Sequence, residues 1–297
     1  MAAAILGLPV RPAFGVIGVA PSGGRLPEGF RGEVAGLLAA GVDLVSGLHQ
    51  PLASDPEFAA IAARSGAAIH DVRQPKRFED LRLWTGDIFS IRAPIVAMLG
   101  TDCAMGKRTT ARLATAACRK RGLNAQMIYT GQTGWMQGVR HGFILDATLK
   151  DFVAGELEGA ILDCAREDNP DLILVEGQGS LRYPAMPCGA ELMLSGNAKA
   201  VVLQVAPTRL YYKAGEGFRC DLPTIEAEIE LIRQYGSRVI ALALNDERMT
   251  ADEALETRAE LERQFGVPVV LPLASVEPLV DRLLEYVRQY ADRAVVR

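Results

Sequence analysis

The stretch from Pro94 to Gly122, PIVAMLGTDCAMGKRTTARLATAACRKRG, constrains the fold more than any other part of the chain. It lays an apolar strand, a glycine loop and a basic-ended helix in direct succession. Pro94 to Leu99 reads as a buried strand, Gly100 and Gly106 let the loop bend back, and Lys107 opens a helix whose free amides attract anions. Lys107 adds a full positive charge. Arg119, Lys120 and Arg121 complement the helix dipole at the far end before Gly122 stops the turn. A chain built this way is expected to place a phosphate site at the carboxyl edge of a parallel sheet.

Short apolar runs alternate with helical patterns along the whole 297 residues, enough chain for two domains of ordinary size. Strands are expected at 15–20, 42–48, 67–72, 94–99, 125–129, 172–175, 200–205, 239–244 and 267–271. The fold class is therefore α/β. A small Rossmann-like N-terminal domain is followed by a P-loop NTPase-like three-layer domain with a mostly parallel sheet. The polar stretch Arg73 to Asp87 separates them, giving domains at 1–85 and 86–297. Within the second, Phe152, Leu157, Ile161 and Ala165 form an apolar stripe, with Glu156, Glu158 and Asp163 placed away from it.

The formal charge of −4 offers no basic field for nucleic acid. Five cysteines, odd in number and without a CxxC pair, argue against a disulfide framework or a zinc site, and for reduced thiols. The apolar start, MAAAILGLPVRPAFGVIGVA, lacks a basic leader and is broken by Pro9, Arg11 and Pro12. No apolar run approaches the roughly 18 residues needed to span a bilayer. A cytoplasmic protein with a small-molecule substrate is expected, with no membrane or nucleic-acid partner and the oligomeric state left open.

Ligands of open parallel sheets bind outside the carboxyl ends of the strands. The first candidate set is the loop itself: Gly100, Thr101, Asp102, Cys103, Gly106, Lys107, Arg108, Thr109 and Thr110. Its spacing is one residue longer than the strict Walker pattern. Arg108 stands where a P-loop nucleotidase carries the Ser or Thr that ligates magnesium, so the loop is suited to holding a pyrophosphate without metal-assisted phosphoryl transfer. Glu176, ending DLILVE, occupies the place of a Walker B acid, either orienting a metal, serving as a general base or pairing with Lys107. Thr130, Gln132 and Thr133 in YTGQTG, together with Gln178 and Ser180 in EGQGS, present polar groups to a small substrate. Arg140 is a candidate clamp for a carboxylate. Asp146 is equally an N-cap or a catalytic residue. Asn245 either meets a nucleotide base or begins a turn. His49 reads as a domain-interface residue, and the glycine-rich GVAPSGGRLP, Gly18 to Pro27, as a structural turn ahead of a second phosphate site, since it lacks the GxGxxG spacing.

The string GTDCAMGK resembles the phosphate loop of dethiobiotin synthetase and its relatives. In combination, GTDCAMGKRTT, YTGQTG, the spacing through Asp146 and DFVAG, and VEGQGSL resemble a wider family. That family was first catalogued as a P-loop domain of unknown function and is associated with D-glutamate N-acetyltransferase. GVAPSGGRLP and VSGLH resemble its small N-terminal domain. The resemblance implies transfer of acetyl from acetyl-CoA to the amino group of a D-amino acid, with D-glutamate leading and no metal required. Coenzyme A carries phosphates that the loop can hold. A base must take the ammonium proton and donors must stabilise the thioester oxyanion; Glu176 is the first candidate for the base, ahead of Asp102 and Asp146. The alternatives are an ATP-dependent ligase or kinase using magnesium, and a nucleotide-binding regulatory protein. The chain departs from the family in Trp135 to Gly142 and in Thr208 to Pro223.

Overall fold

The computed structural model describes residues 7–213 and 220–295. The apolar start is thus seen only from Gly7, and residues 214–219 of the divergent stretch Thr208 to Pro223 lie outside the described residues. The chain divides into two compact units: Met1–Glu79 with Ile144–Leu149, and Asp80–Phe143 with Lys150–Arg297.

In the first unit, β1 (Phe14–Val16), β2 (Asp43–Ser46) and β3 (Ile69–Asp71) form a parallel sheet in the order β1-β2-β3. Helices α1 (Arg31–Ala39) and α2 (Pro56–Ser65) make the connections. Local signals delimit α2 sharply. Asp55 accepts the amides of Glu57 and Phe58, Pro56 fills the first turn, and Gly66 closes the helix at φ 77°. Leu38, Leu44, Leu52 and Phe58 lie in its core.

The second unit runs β4 (Ile95–Gly100), α3 (Lys107–Lys120), β5 (Ala125–Tyr129), α4 (Gln132–Met136), β6 (His141–Gly142) and α5 (Val153–Asp168). It continues with β7 (Leu172–Glu176), α6 (Ala190–Leu194), β8 (Ala200–Val205), α7 (Ile225–Gln234), β9 (Arg238–Leu244), α8 (Ala251–Phe265), β10 (Val269–Val270) and α9 (Glu277–Val295). The seven strands pair in parallel in the order β10-β9-β8-β4-β7-β5-β6. Strand β4 sits between β7 and β8 and is buried throughout, which explains why IVAMLG shows no polar alternation. Small residues on α3, among them Ala111, Ala114 and Cys118, join Leu279, Val280 and Leu283 of α9 in one core. Fully burying one such leucine contributes about 1.5 to 3 kcal/mol.

All nine expected strands form, with ends that differ from the expected ones by up to four residues in either direction. One more, β6, was not expected; two residues are too few to carry a period, and it exists by pairing with Ile128 and Tyr129. The α5 stripe needs correction. Leu157 and Ile161 are buried as expected, but so are Glu156 and Glu158, at 3 % and 1 % exposure. Glu156 accepts the Arg82 amide, and Glu158 accepts the amides of Thr85, Gly86 and Ile88. Two carboxylates thereby replace the ladder that this irregular segment lacks. The segment passes so close to α5 that a Cβ on Gly155 would lie 2.1 Å from the Arg82 carbonyl oxygen. These contacts draw 80–85 into the second unit, ahead of the expected boundary at 85.

Candidate active site

Parallel register brings three strand ends together: Met98 of β4 lies opposite Glu176 of β7, and Gly100 opposite Gln204 of β8. The loop from Gly100 to Gly106 emerges between these two neighbours. Gly106 stands at the N-cap of α3 with φ 104°, a left-handed conformation that favours glycine, and no side chain caps the helix. No acidic residue occupies the first turn of α3. Its first amides are therefore offered to an anion.

Lys107 is 6 % exposed. Its ammonium donates to the carbonyl oxygens of Asp102 at 2.7 Å and Gly179 at 2.8 Å. Burial pushes its pKa down to about 8, opposed by nearby cysteines, Asp102 and Glu176. Two neutral carbonyls do not discharge a buried cation, so an anionic ligand would gain from meeting it.

Asp102 is fully buried, and its carboxylate is already engaged. Oδ1 accepts the Cys103 amide at 2.6 Å; Oδ2 accepts Arg209 Nη1 and the Lys213 amide, each at 2.9 Å. Arg209 also donates to the carbonyls of Cys103 and Ala104, and grips Glu247 through Nε at 2.5 Å and Nη2 at 2.8 Å. The guanidinium thus bolts the loop to the segment after β9. Asp102 serves this clamp, with both carboxylate oxygens engaged. Thr101 donates its amide to Gln204 O, and the Thr110 hydroxyl donates to Gln204 Oε1 at 2.8 Å. Asn245 donates to Met105 O at 3.0 Å and accepts the Glu247 amide, so its side chain ties the loop to the turn after β9. A cavity of about 270 Å³ opens beside it, lined in part by Gly106, Thr109, Gln204, Asn245, Leu271 and Leu273.

Glu176 is 3 % exposed, and burial raises its pKa to about 7 against the opposing Thr130 amide, Arg108 and Lys107. Oε2 accepts the Thr130 amide at 3.3 Å, while Arg108 Nη1 stands 3.9 Å from Oε1. A cation thus sits beside the Walker B position. Thr130 Oγ1 donates to Glu176 O at 2.8 Å and accepts Gln178 Nε2 at 3.2 Å. Thr130, Glu176 and Gln178 therefore meet as one group. Gln132 and Thr133 open the short helix α4, whose Gly134 would put a Cβ 3.1 Å from Glu176 Oε2. Ser180, next to Gly179 in the chain, is buried.

Two sequence candidates fall elsewhere. Asp146 belongs to the first compact unit, where its Oδ2 meets His49 Nε2 at 3.2 Å and Arg73 Nη2 at 2.9 Å. His49, expected at a domain interface, is thus placed by its bond to Asp146. Arg140 pairs with Glu167 and Asp168 at 2.7 and 2.6 Å, so its fork already holds carboxylates. Its neighbour His141 is buried against Asp168 at 2.7 Å, and Cys164 brings a third ligand-type atom within 4.8 Å of both. The Arg140 charge lies on that same Asp168. All five cysteines are free. Among the described residues, no helix is long and apolar enough to cross a membrane.

Sequence reading missed Arg209, Glu247 and Gln204. Arg209 and Glu247 lie in loops, where nothing periodic marks a distant partner. Gln204 did carry a signal, a lone polar side chain inside the buried strand AVVLQV.

Fold and site define a class: an α/β protein in which a Rossmann-like domain precedes a P-loop domain. The chain belongs to the DUF1611 family, whose P-loop domain of unknown function matches residues 82–280 and whose Rossmann-like N-terminal domain matches residues 1–75. It is 31 % identical over 265 residues to a D-glutamate N-acetyltransferase of Tritonibacter scottomollicae, covering 86 % of this chain and 76 % of that one. A D-glutamate N-acetyltransferase of a Pseudoalteromonas species is 28 % identical over 276 residues, covering 90 % and 80 %. The crystal structure of a DUF1611 family protein from Anabaena variabilis superposes with a TM-score of 0.83 at 29 % identity, covering 92 % of this chain and 80 % of that one.

Proposed function

We propose that the protein is an N-acetyltransferase that moves acetyl from acetyl-CoA to the amino group of a D-amino acid, D-glutamate first among them. The observation that carries this reading is the Arg108 guanidinium 3.9 Å from Glu176. In a phosphoryl-transfer enzyme, a hydroxyl ligand and an acid at these positions would serve magnesium. Here one position supplies a cation and the other an acid with a pKa near 7. That pairing suits acyl transfer, which needs phosphates held and a proton removed but no metal.

The donor set fits the phosphates of coenzyme A. The uncapped first turn of α3, Gly106, Lys107 and Arg108 would hold them, and the 270 Å³ cavity beside Asn245 would take the adenine. Bound acetyl-CoA supplies the activated acyl group. Glu176, poised near neutrality, would accept the proton lost as the substrate amine is acylated, and Gln178 and Thr130 would orient the reacting groups beside it. The names of the relatives support the choice of D-glutamate.

A matched turnover screen tests the reading: acetyl-CoA with D- and L-amino acids, followed for free thiol, beside ATP and magnesium, followed for phosphate. Thiol release dependent on a D-amino acid is expected. Substrate-dependent phosphate release without thiol would replace the reading with an ATP-dependent ligase or kinase.

A further inference from the structure

One flank of α3 borders a second cavity, of about 650 Å³, lined in part by Thr109, Arg112, Arg119, Gln126, Gln137 and Arg140. Thr109, Arg112 and Arg119 recur at helical spacing, which sets them in a row along one face of α3. All three are exposed. The row begins at the phosphate loop, since Thr109 lines this cavity and the 270 Å³ cavity beside Asn245 as well.

The three guanidiniums of this groove differ in what they meet. Arg140 is already paired with Glu167 and Asp168. Arg119 donates Nε to the Ala125 carbonyl at 2.7 Å and Nη2 to the Gln126 amide oxygen. Both partners are neutral, so they fix the guanidinium and leave its charge uncompensated. Arg112 has neither an ion pair nor a hydrogen bond among the described residues. Two cations thus line an open cavity without an acid of their own. A phosphate monoester matches them: near neutral pH it carries close to two negative charges and three acceptor oxygens, and guanidinium forks bind such groups in two-pronged fashion. A single carboxylate would neutralise only one of the pair.

Coenzyme A carries one such group besides its pyrophosphate, the 3′-phosphate of its ribose. With the pyrophosphate at the first turn of α3 and adenine beside Asn245, the ribose between them passes Thr109. Arg112 stands about one turn further along the same face. We propose that this groove binds the 3′-phosphate of coenzyme A, with Arg112 as its principal contact and Arg119 supporting it. The identity of the ligand rests on the acetyl-CoA reading; the preference for a phosphate monoester rests on the two unpaired guanidiniums. The site concerns the nucleotide end of the cofactor and leaves the substrate amine with Glu176.

Calorimetry on the full chain tests it by comparing coenzyme A with dephospho-coenzyme A, which lacks only the 3′-phosphate. Wild type should bind coenzyme A at least about ten-fold more tightly. Arg112→Gln should reduce that preference to about two-fold or less while keeping the wild-type affinity for dephospho-coenzyme A. A merely structural role would weaken both ligands alike and overturn the proposal. So would equal affinities in wild type, no binding of either ligand, or a full preference in folded Arg112→Gln. Should Arg112→Gln fail to fold, Arg119→Gln must still narrow the preference, and a full preference there has the same consequence. Inorganic phosphate that binds wild type but not Arg112→Gln, without any preference for coenzyme A, would give the groove to a free phosphate and overturn the proposal. Acetyl transfer without a 3′-phosphate preference rejects this site and leaves the acetyltransferase reading standing. A preference that Arg112→Gln removes, found together with no acetyl transfer, upholds the site and overturns that reading instead.

Discussion

The carboxyl edges of the two parallel sheets carry similar residue types and treat them differently. At the edge of the N-terminal sheet, Asp146 is held by Arg73 and His49, and Arg73 also donates to the Gly47 carbonyl. His49 is 54 % and Asp146 23 % exposed, so water shares in their solvation. At the edge of the seven-stranded sheet, Lys107 and Glu176 are almost wholly buried: the Lys107 ammonium meets two carbonyls, and the Glu176 carboxylate meets one long amide contact and a guanidinium at 3.9 Å. The first set closes on itself. The second holds charge at low dielectric with its partners incomplete, the arrangement that shifts pKa values and leaves a ligand something to gain.

The largest expected effect lies in the second set. Glu176→Gln should lower kcat by about 10² to 10⁴ with acetyl-CoA affinity nearly kept, and higher pH should restore part of the rate by deprotonating the amine. In wild type, kcat should climb as pH rises to about 7 and then level off. Stability should run the other way. The folded state holds the Glu176 proton more tightly than the unfolded chain, so this contribution is present below 4.5 and lost as pH rises through about 7. The loss is roughly 3 kcal/mol. Glu176→Gln should therefore melt higher than wild type at pH 8; a lower melting temperature would mean that the carboxylate supports the fold.

Arg209→Ala comes next. It strands the fully buried Asp102 charge, which should cost about 3 to 5 kcal/mol in denaturant unfolding. A loss below 1 kcal/mol would show that the clamp does not hold the loop. Lys107→Ala should weaken acetyl-CoA by about 1.5 to 3 kcal/mol in calorimetry while sparing the amino acid. Unchanged cofactor affinity would remove the loop from the site. The smallest effect belongs to the N-terminal edge: Asp146→Asn should cost no more than about 1 kcal/mol of stability, as partly exposed pairs do. A fall in kcat to match that of Glu176→Gln would dissolve the contrast between the two edges.

Much of this was legible in the chain. Strand, loop and helix from Pro94 to Gly122 announced themselves because glycine, lysine and apolar spacing are local properties that the backbone must obey. Glu176 and Thr130 could be nominated because each follows a buried strand, and in a parallel sheet all such ends share one edge. Asp102 shows the limit: its place in the loop was plain, but its partner lies over a hundred residues on, in a stretch without periodicity. Asp146 shows another, since it falls between two elements of the second unit yet folds with the first.

What the amino-acid sequence determined by itself, then, is the α/β class, most of the strands, the two-domain order and the P-loop. All of these follow from hydrophobic period, turn residues and helix polarity over short distances. Tertiary structure alone decided which polar groups are paired and which are left wanting. Burial of Glu156 and Glu158, the Arg209 clamp on Asp102 and the Arg182–Glu228 pair depend on what packs against them from distant parts of the chain. A charged side chain reads the same in sequence wherever it lies; its hydration, its partners and hence its chemistry are set only when the fold removes the water around it.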